Sequence, residues 1–376
     1  MSEEIGRVKS WKIFLPVLIG LLSVAYLFIK EFDPSAFDEI DFTWLSVFWL
    51  LMAVVCIVGR DFGYIVRIKA LSENQLTWRQ SFRVIMLWEF TSAVTPSSIG
   101  GTSVALMYVH KEGIGIGKSS AMVMMTSLLD EMYFVLMFPV LLLAAGASRL
   151  FDIDDSPGWT HGMFWLAMTG YILKLAWVAA LAYGMFVNPK GLGKLIFTIF
   201  KLPFLKRWKR GAVKALREIE LSSTELKSRK KSFWITAFLT TFVSWTSRYC
   251  IVNCLFLAFF AVDDHFLIFA RQLVMWIAML LSPTPGGSGI AEIMFGVYLG
   301  EFIPLAGFAV AVALLWRLVT YYPYLIVGAL MVPKWISDKF IGKQNRGTKN
   351  RFFGVRRQSE NPKKNQVVGD SHKDSN

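Results

Sequence analysis

The sequence predicts an all-α polytopic membrane protein: six full spans plus two opposed re-entrant helical hairpins, arranged as an inverted-topology repeat. Composition is the first ground. A chain of 376 residues that is 55% hydrophobic, 15% aromatic and only 18% charged is too apolar for an ordinary water-soluble domain. The second ground is the uneven distribution of Lys and Arg among the connecting segments. The third is a pair of polar Pro/Gly breaks inside apolar stretches, Thr95-Pro96-Ser97-Ser98-Ile99-Gly100-Gly101 and Ser282-Pro283-Thr284-Pro285-Gly286-Gly287-Ser288-Gly289.

In chain order, the first span is Trp11 to Ile29. Its apolar run is long and no small-residue cleavage site follows before Lys30 and Glu31, so it reads as a retained helix rather than a signal peptide. The other five spans are Phe42 to Gly59, Ser119 to Gly146, Gly162 to Val187, Ser232 to Ala261 and Ile303 to Val332. Orientation follows from charge. The segment from Asn188 to Lys231 carries thirteen Lys/Arg against three Glu, and the tail from Pro333 to Asn376 carries eleven against four acids, so both are expected on the cytoplasmic side of an inner or plasma membrane. The loops Lys30 to Asp41, Ser148 to Thr160 and Asp263-Asp264 are acidic and poor in Lys/Arg, which puts them outside. Both termini are then cytoplasmic.

Parity decides what the broken segments do. A single crossing by Phe82 to Val109 would send the thirteen-cation segment outside, against the charge rule. The first break is flanked by Arg60, Arg67, Lys69, Arg79 and Arg83 before it and Lys111 and Lys118 after it, so it enters and leaves on the cytoplasmic side. The second, from Phe266 to Leu299, lies between Asp263-Asp264 and Glu301 and dips in from outside. Span, hairpin, span then recurs from 42 to 146 and from 232 to 332, starting outside the first time and inside the second. The competing reading is two unrelated kinked helices in a bundle, since Gly and Pro are frequent in membrane helices.

Neither break can sit against lipid. Pro lacks the N–H and Gly favours unwinding, so the freed backbone groups need protein or water in a cavity. Paired breaks in corresponding positions of two halves are expected of a carrier whose binding site lies at the repeat interface. Pro96, Gly100 and Gly101, with Pro285, Gly286 and Gly287, are therefore expected to form unwound hairpin tips lining the site.

The order of spans, the run Ser-Pro-Thr-Pro-Gly-Gly-Ser-Gly-Ile-Ala-Glu from Ser282 to Glu292, and the Leu-Leu-Asp at Leu128 to Asp130 resemble the transmembrane region of lysylphosphatidylglycerol synthases, a flippase-like family of integral membrane proteins. The likeness covers Trp11 to Val332. It implies movement of a phospholipid or lipid-linked headgroup between leaflets. Related sequences commonly show a Glu-Arg pair shortly before the Leu-Leu-Asp, where this chain has Thr126-Ser127; no acid or Arg follows its Gly100-Gly101. The soluble aminoacyl-transferase domain of the bifunctional synthases has no counterpart in the basic tail.

Eight ionisable residues fall at membrane depth, where a charge costs at least about 2.5 to 3.5 kcal/mol on insertion scales. They are Glu89, Asp130, Glu131 and Glu292, and Lys174, Arg248, Arg271 and Arg317. Internal ion pairs are one use for them. Substrate contact is the other, and the four cations are its candidates. Arg248 shares a helical face with Ser244 and Thr240, and Arg317 with Thr320, Tyr321 and Tyr324. An Arg fork binds phosphate bidentately and stays charged, which suits an anionic headgroup. The acids are candidates for coupling movement to protons, and uncoupled scrambling is equally compatible.

Other chemistries find little support. Gly113-Ile-Gly-Ile-Gly117-Lys118-Ser119 looks like a phosphate loop, but the first Gly of that pattern falls at Glu112 and no strand precedes it. The basic segment with Lys206, Arg207, Lys209 and Arg210 lies beside the membrane, which favours topology and anionic-lipid contact over nucleic acid. Cys56, Cys250 and Cys254 all lie within spans, and the four His residues form no ligand cluster, so neither a metal nor any other cofactor is expected. Catalytic nucleophile patterns are missing, so no enzyme activity is expected. The tail beyond Gly342 is polar, basic and expected to be disordered. Besides a carrier, the sequence allows an intramembrane enzyme using Glu89, Asp130 or Glu292 as acid or base, or an accessory subunit of an envelope-polymer synthesis complex. Oligomeric state is left open.

Overall fold

In a computed structural model of the chain, the described residues are 42–95, 97–151, 157–188, 191, 228–279, 287, 289–304 and 308–337. The expected first span, the basic segment 192–227, the tail from 338, and Pro96, Pro285 and Gly286 lie outside them. Every regular element among the described residues is helical. In order these are α1 (Trp44–Leu71), α2 (Trp78–Val94), α3 (Ser97–Lys111), α4 (Ile116–Ala145), α5 (Ala147–Phe151), α6 (Pro157–Ala182, continued by a π turn over Tyr183–Val187), α7 (Lys231–Phe259), α8 (His265–Met279), α9 (Ile290–Leu299), α10 (Phe308–Thr320) and α11 (Tyr322–Ile336). Five stretches are long and apolar enough to cross a membrane: α1, α4, α6 with its π turn, α7, and α10 together with α11. The chain divides into two compact units, Met1–Ala329 and Leu330–Asn376; the described part of the second is helical to Ile336.

Local chemistry sets the ends. Thr43 caps α1 in a reciprocal box with Ser46, and Thr77 caps α2 in the same way with Gln80. Helix α2 stops at Val94, just before Pro96, because the residue preceding a proline is driven out of the α region, and Thr95 is extended with ψ 140°. Helix α10 gives way to α11 at Tyr321, two residues before Pro323, whose missing N–H breaks the ladder there.

Two boundaries differ from the sequence reading. Helix α1 runs twelve residues past Gly59, carrying Arg60, Asp61 and Arg67 inside it, because these charges find partners within the protein rather than water. Gly100 and Gly101 are not an unwound tip: they lie within α3, and the break is confined to the Thr95-Pro96 junction. Gly101 serves close packing instead. A Cβ there would stand 2.0 Å from Ser92 Oγ and 3.0 Å from Ser92 Cα, across the junction on α2.

Helices α2 and α3 form an antiparallel pair. Arg83 Nε lies 2.9 Å from Glu112 Oε1 at the open end, and the Thr91 and Tyr108 hydroxyls meet at 2.6 Å nearer the junction. Helices α8 and α9 form a second such pair: Arg271 Nη1 donates to the Tyr298 carbonyl at 3.2 Å, while Met279 and Gly287 meet at the other end. The most extensive helix–helix contact is between α1 and α7, which also run antiparallel. Gly59 faces Ser247, Gly63 faces Ser244 and Thr240, and Arg67 Nη1 donates to Thr241 Oγ1 at 2.9 Å. Glycines four apart let the backbones approach, as membrane helices require when packing rather than hydrophobic transfer drives association. Ser244 Oγ donates to the Arg60 carbonyl at 2.9 Å across this seam. An apolar core built around Tyr133, Phe134, Trp245, Phe256, Phe295 and Tyr298 joins α4, α7, α8, α9 and α10. Where the ends of α1, α4 and the start of α7 converge, Glu73 accepts from Lys118 at 2.7 Å and from Arg229 at 2.5 Å. Burial alone would raise the Glu73 carboxyl; those two cations outweigh it and hold the group below its usual range.

Candidate functional site

A cavity of about 270 Å³ lies where the two antiparallel pairs bring their broken ends together. From α2 and α3 it takes Trp88, Glu89, Ser92, Ala93, Thr95 and Thr102; from α8 and the residues before α9 it takes Trp276, Met279 and Gly287. The long helices supply the rest of its polar wall: Tyr64 and Arg67 from α1, Thr126, Ser127 and Asp130 from α4, Trp245 and Arg248 from α7, and Trp316, Arg317 and Thr320 from α10.

The carboxylates around it are all engaged. Glu89 receives Arg60 Nη2 at 2.6 Å, and Arg60 Nη1 also meets Asp61 at 2.8 Å and the Tyr324 hydroxyl at 2.5 Å. Asp130 receives Arg67 Nη1 at 2.5 Å and Trp245 Nε1 at 2.8 Å. Glu292, at the start of α9, accepts the Gly289 N–H at 2.7 Å and Arg317 Nε at 2.8 Å, a first-turn position that also complements the helix dipole.

The cations are not all engaged. Arg317 is only 5% exposed, yet its Nη2 has no hydrogen-bond partner among the described residues. Arg248 meets no carboxylate among them either. Its guanidinium is held over two indoles, 4.8 Å from the Trp276 centroid and 5.4 Å from that of Trp245. Trp245 is in turn stacked on Tyr133 and edge-on to Phe134, so the platform is fixed from behind. Guanidinium groups are suited to carboxylate and phosphate, and two that are not fully engaged by carboxylates among the described residues line this chamber.

Of the candidate residues from the sequence, Glu89, Asp130, Arg248, Gly287 and Arg317 line this cavity, and Glu292 stands directly behind it. Lys174 and Glu131 do not line it; they form an ion pair joining α6 to α4. Arg271 is also elsewhere, bonded to Glu301 at 2.8 Å and to the carbonyls of Arg149 and Tyr298. Gly101 lies in the packing seam of α2 and α3, and Gly100 is helical beside it. Sequence reasoning missed Arg60 and Arg67, because the two arginines read as the basic flank of a loop, and it placed Tyr324 on the Arg317 face without its bond to Arg60. Their spacing with Tyr64 gave the signal, since 60, 64 and 67 share one face of a helix that continues past Gly59.

Gly287 tests the geometry of the tip. Its φ of +71° strains any L side chain, and a Cβ would lie 2.9 Å from Met279 Cε and 3.8 Å from Arg317 Nη2. Gly287→Ala is expected to cost about 1 to 2 kcal/mol in thermal or denaturant unfolding in detergent. Activity per folded molecule should fall as well, because the methyl group stands beside the unpaired nitrogen.

Five stretches long and apolar enough to cross a membrane, with charges held in internal pairs around a cavity between helix pairs, define a multi-pass membrane protein. The family model described as the lysylphosphatidylglycerol synthase TM region matches residues 13–328. The chain belongs to that family. It is also similar to a UPF0104 membrane protein of Archaeoglobus fulgidus, 28% identical over 345 residues that cover 87% of this chain and 98% of that protein.

Proposed function

We propose that this chain is a carrier, not an enzyme, that moves an anionic phospholipid or lipid-linked headgroup between the leaflets of the cell membrane. One observation carries the reading: the cavity at the meeting of the two broken helix pairs is lined by Arg248, which meets no carboxylate among the described residues, and by Arg317, whose Nη2 has no partner among them. In this reading α2 with α3 and α8 with α9 are the opposed re-entrant hairpins of an inverted repeat over 42–146 and 232–332. Helix length supports it. The four arms have 17, 15, 15 and 10 residues, which at about 1.5 Å per residue all fall short of a ~30 Å hydrocarbon core. The antiparallel contact of α1 with α7, the leading helices of the two copies, supports it too, since inversion of topology reverses the direction of equivalent helices.

The experiment is reconstitution of the purified protein into vesicles carrying a headgroup-labelled anionic phospholipid. Redistribution between leaflets with the lipid chemically unchanged is the expected result. A covalently altered lipid would instead identify an intramembrane enzyme. Neither outcome, with a synthase co-purifying, would identify an accessory subunit.

Topology has its own test. In a Cys-free background, single Cys at Ser156 is expected to label from outside intact cells, and single Cys at Ser223 or Ser371 only after permeabilisation. Labelling of Ser223 from outside would turn the first hairpin into a full crossing.

A further inference from the structure

We infer that the cavity takes up one proton with each anion it binds, and that the proton is held by Asp61 and Glu89, two carboxylates that share the guanidinium of Arg60; this rests on reading the cavity as an anion site. The charge inventory carries the inference. The guanidinium groups of Arg60, Arg67, Arg248 and Arg317 and the carboxylates of Asp61, Glu89, Asp130 and Glu292 stand in the cavity wall or directly behind it, and their charges cancel. They do not pair evenly. Asp130 has Arg67 and Glu292 has Arg317, one cation to one acid. Arg60 instead serves two acids, with Nη1 2.8 Å from Asp61 Oδ1 and Nη2 2.6 Å from Glu89 Oε2. The surplus negative charge therefore sits at Arg60, and its counterweight is Arg248, which meets no carboxylate among the described residues and rests on Trp245 and Trp276.

That balance holds only while Arg248 faces no other anion. A phosphate at Arg248 spends the cation that offsets the extra carboxylate, and in a poorly screened interior two carboxylates on one guanidinium then favour taking a proton. Glu89 has a place for it. It lines the cavity, and its Oε1 accepts no hydrogen bond among the described residues, whereas Oε2 is held by Arg60. Asp61 has no such spare oxygen: Tyr324, also in the wall, donates to its Oδ1 at 2.8 Å and Oδ2 at 3.0 Å and accepts from Arg60 Nη1. The other titratable or charged groups in the wall are Tyr64 and Arg67 on α1, Asp130 on α4, Arg248 on α7, Arg317 on α10 and Tyr321 at the end of α10. On α3, Tyr108 is bonded to Thr91. Asp130, Glu131 and Glu292 each have a cation of their own, so none of them carries the surplus.

The test is isothermal titration calorimetry of the full-length protein in detergent with dihexanoylphosphatidylglycerol, whose phosphodiester stays singly charged between acid and alkaline buffers. Two buffers of different ionisation enthalpy at each pH count the protons from the difference in heat. About one proton is expected to be taken up per lipid bound, and the dissociation constant should rise by up to about ten-fold per unit of rising pH, the limit for one linked proton. Glu89→Gln and Asp61→Asn, made separately, each leave Arg60 with a single carboxylate. Both should lose the proton uptake and the pH dependence, and both should bind the lipid several-fold more tightly than wild type in the alkaline buffer, where wild type carries the surplus charge. Lipid binding by wild type with no proton uptake would overturn the linkage and leave the anion site standing. Full uptake in both variants would overturn its assignment to the Arg60 pair. Affinity that follows sodium at fixed pH, with no proton uptake, would replace the proton by a metal cation and overturn the inference. No binding of the lipid at any pH would overturn the anion site, and this inference with it.

Discussion

Arg248→Gln is expected to lower lipid movement in reconstituted vesicles by ten-fold or more while leaving the melting temperature of the purified protein nearly unchanged. The asymmetry follows from its contacts. Arg248 balances no carboxylate among the described residues and is held by Trp245 and Trp276, so losing its charge orphans no buried acid. A lost charge-assisted contact to phosphate is worth on the order of 1.5 to 3 kcal/mol, which covers the stated factor. Arg317→Gln should lower movement as strongly, but with a second effect: Glu292, 7% exposed, would lose its cation and keep only the Gly289 N–H. Breaking a buried pair on one side costs about 3 to 5 kcal/mol, so this variant should also unfold at lower temperature. Arg317→Gln with Glu292→Gln separates the two effects, because it removes the orphaned charge and should recover stability but not movement. Arg248→Gln with full activity per folded molecule would sink the anion-carrier reading.

Gly63→Ala is expected to destabilise the protein by about 1 to 3 kcal/mol, the usual range for forcing a methyl group into a packed interior. Its Cβ would fall 2.2 Å from Ser244 Oγ and 2.8 Å from the Thr240 carbonyl oxygen. Neither neighbour can give way cheaply. The Ser244 hydroxyl is spent on the Arg60 carbonyl, and the Thr240 oxygen is backbone in α7. The methyl group must therefore push α1 from α7, and with it Arg60 and Arg67, which hold Glu89 and Asp130 in the cavity wall. Gly59→Ala is the control. Its Cβ would meet only Ser247 Oγ at 3.5 Å, an ordinary contact, so thermal unfolding in detergent should barely change. Equal effects from the two substitutions would mean that helix propensity, not the closeness of the seam, governs stability here.

Much of the fold was legible because membrane helices obey strong local rules. Length and apolarity marked α1, α4, α6, α7 and the stretch of α10 and α11, and Pro96 marked the end of α2. Boundaries failed where a local rule met a non-local partner. Arg60 and Arg67 looked like the end of a span, because a charge beside lipid is costly, and they proved to be inside it because Glu89 and Asp130 cancel that cost. Gly100 and Gly101 looked like loop, and Ser92 across the junction makes Gly101 a packing residue of α3.

The sequence by itself determined that the chain is a helical membrane protein, that its second helix among the described residues stops before Pro96, and which ionisable residues are costly enough to need a reason, since each of these depends on residues near in the chain. Only the tertiary structure decided which charges are spent. Eight ionisable residues at membrane depth were equivalent in sequence. Packing turned Lys174 with Glu131 and Arg271 with Glu301 into ties between helices, and left Arg248 and Arg317 lining a common cavity, the latter with one buried nitrogen unpartnered among the described residues. The physical reason is that an ion pair depends on distances between helices far apart in the chain, and Coulomb attraction in a poorly screened interior falls on whichever partner packing brings within reach.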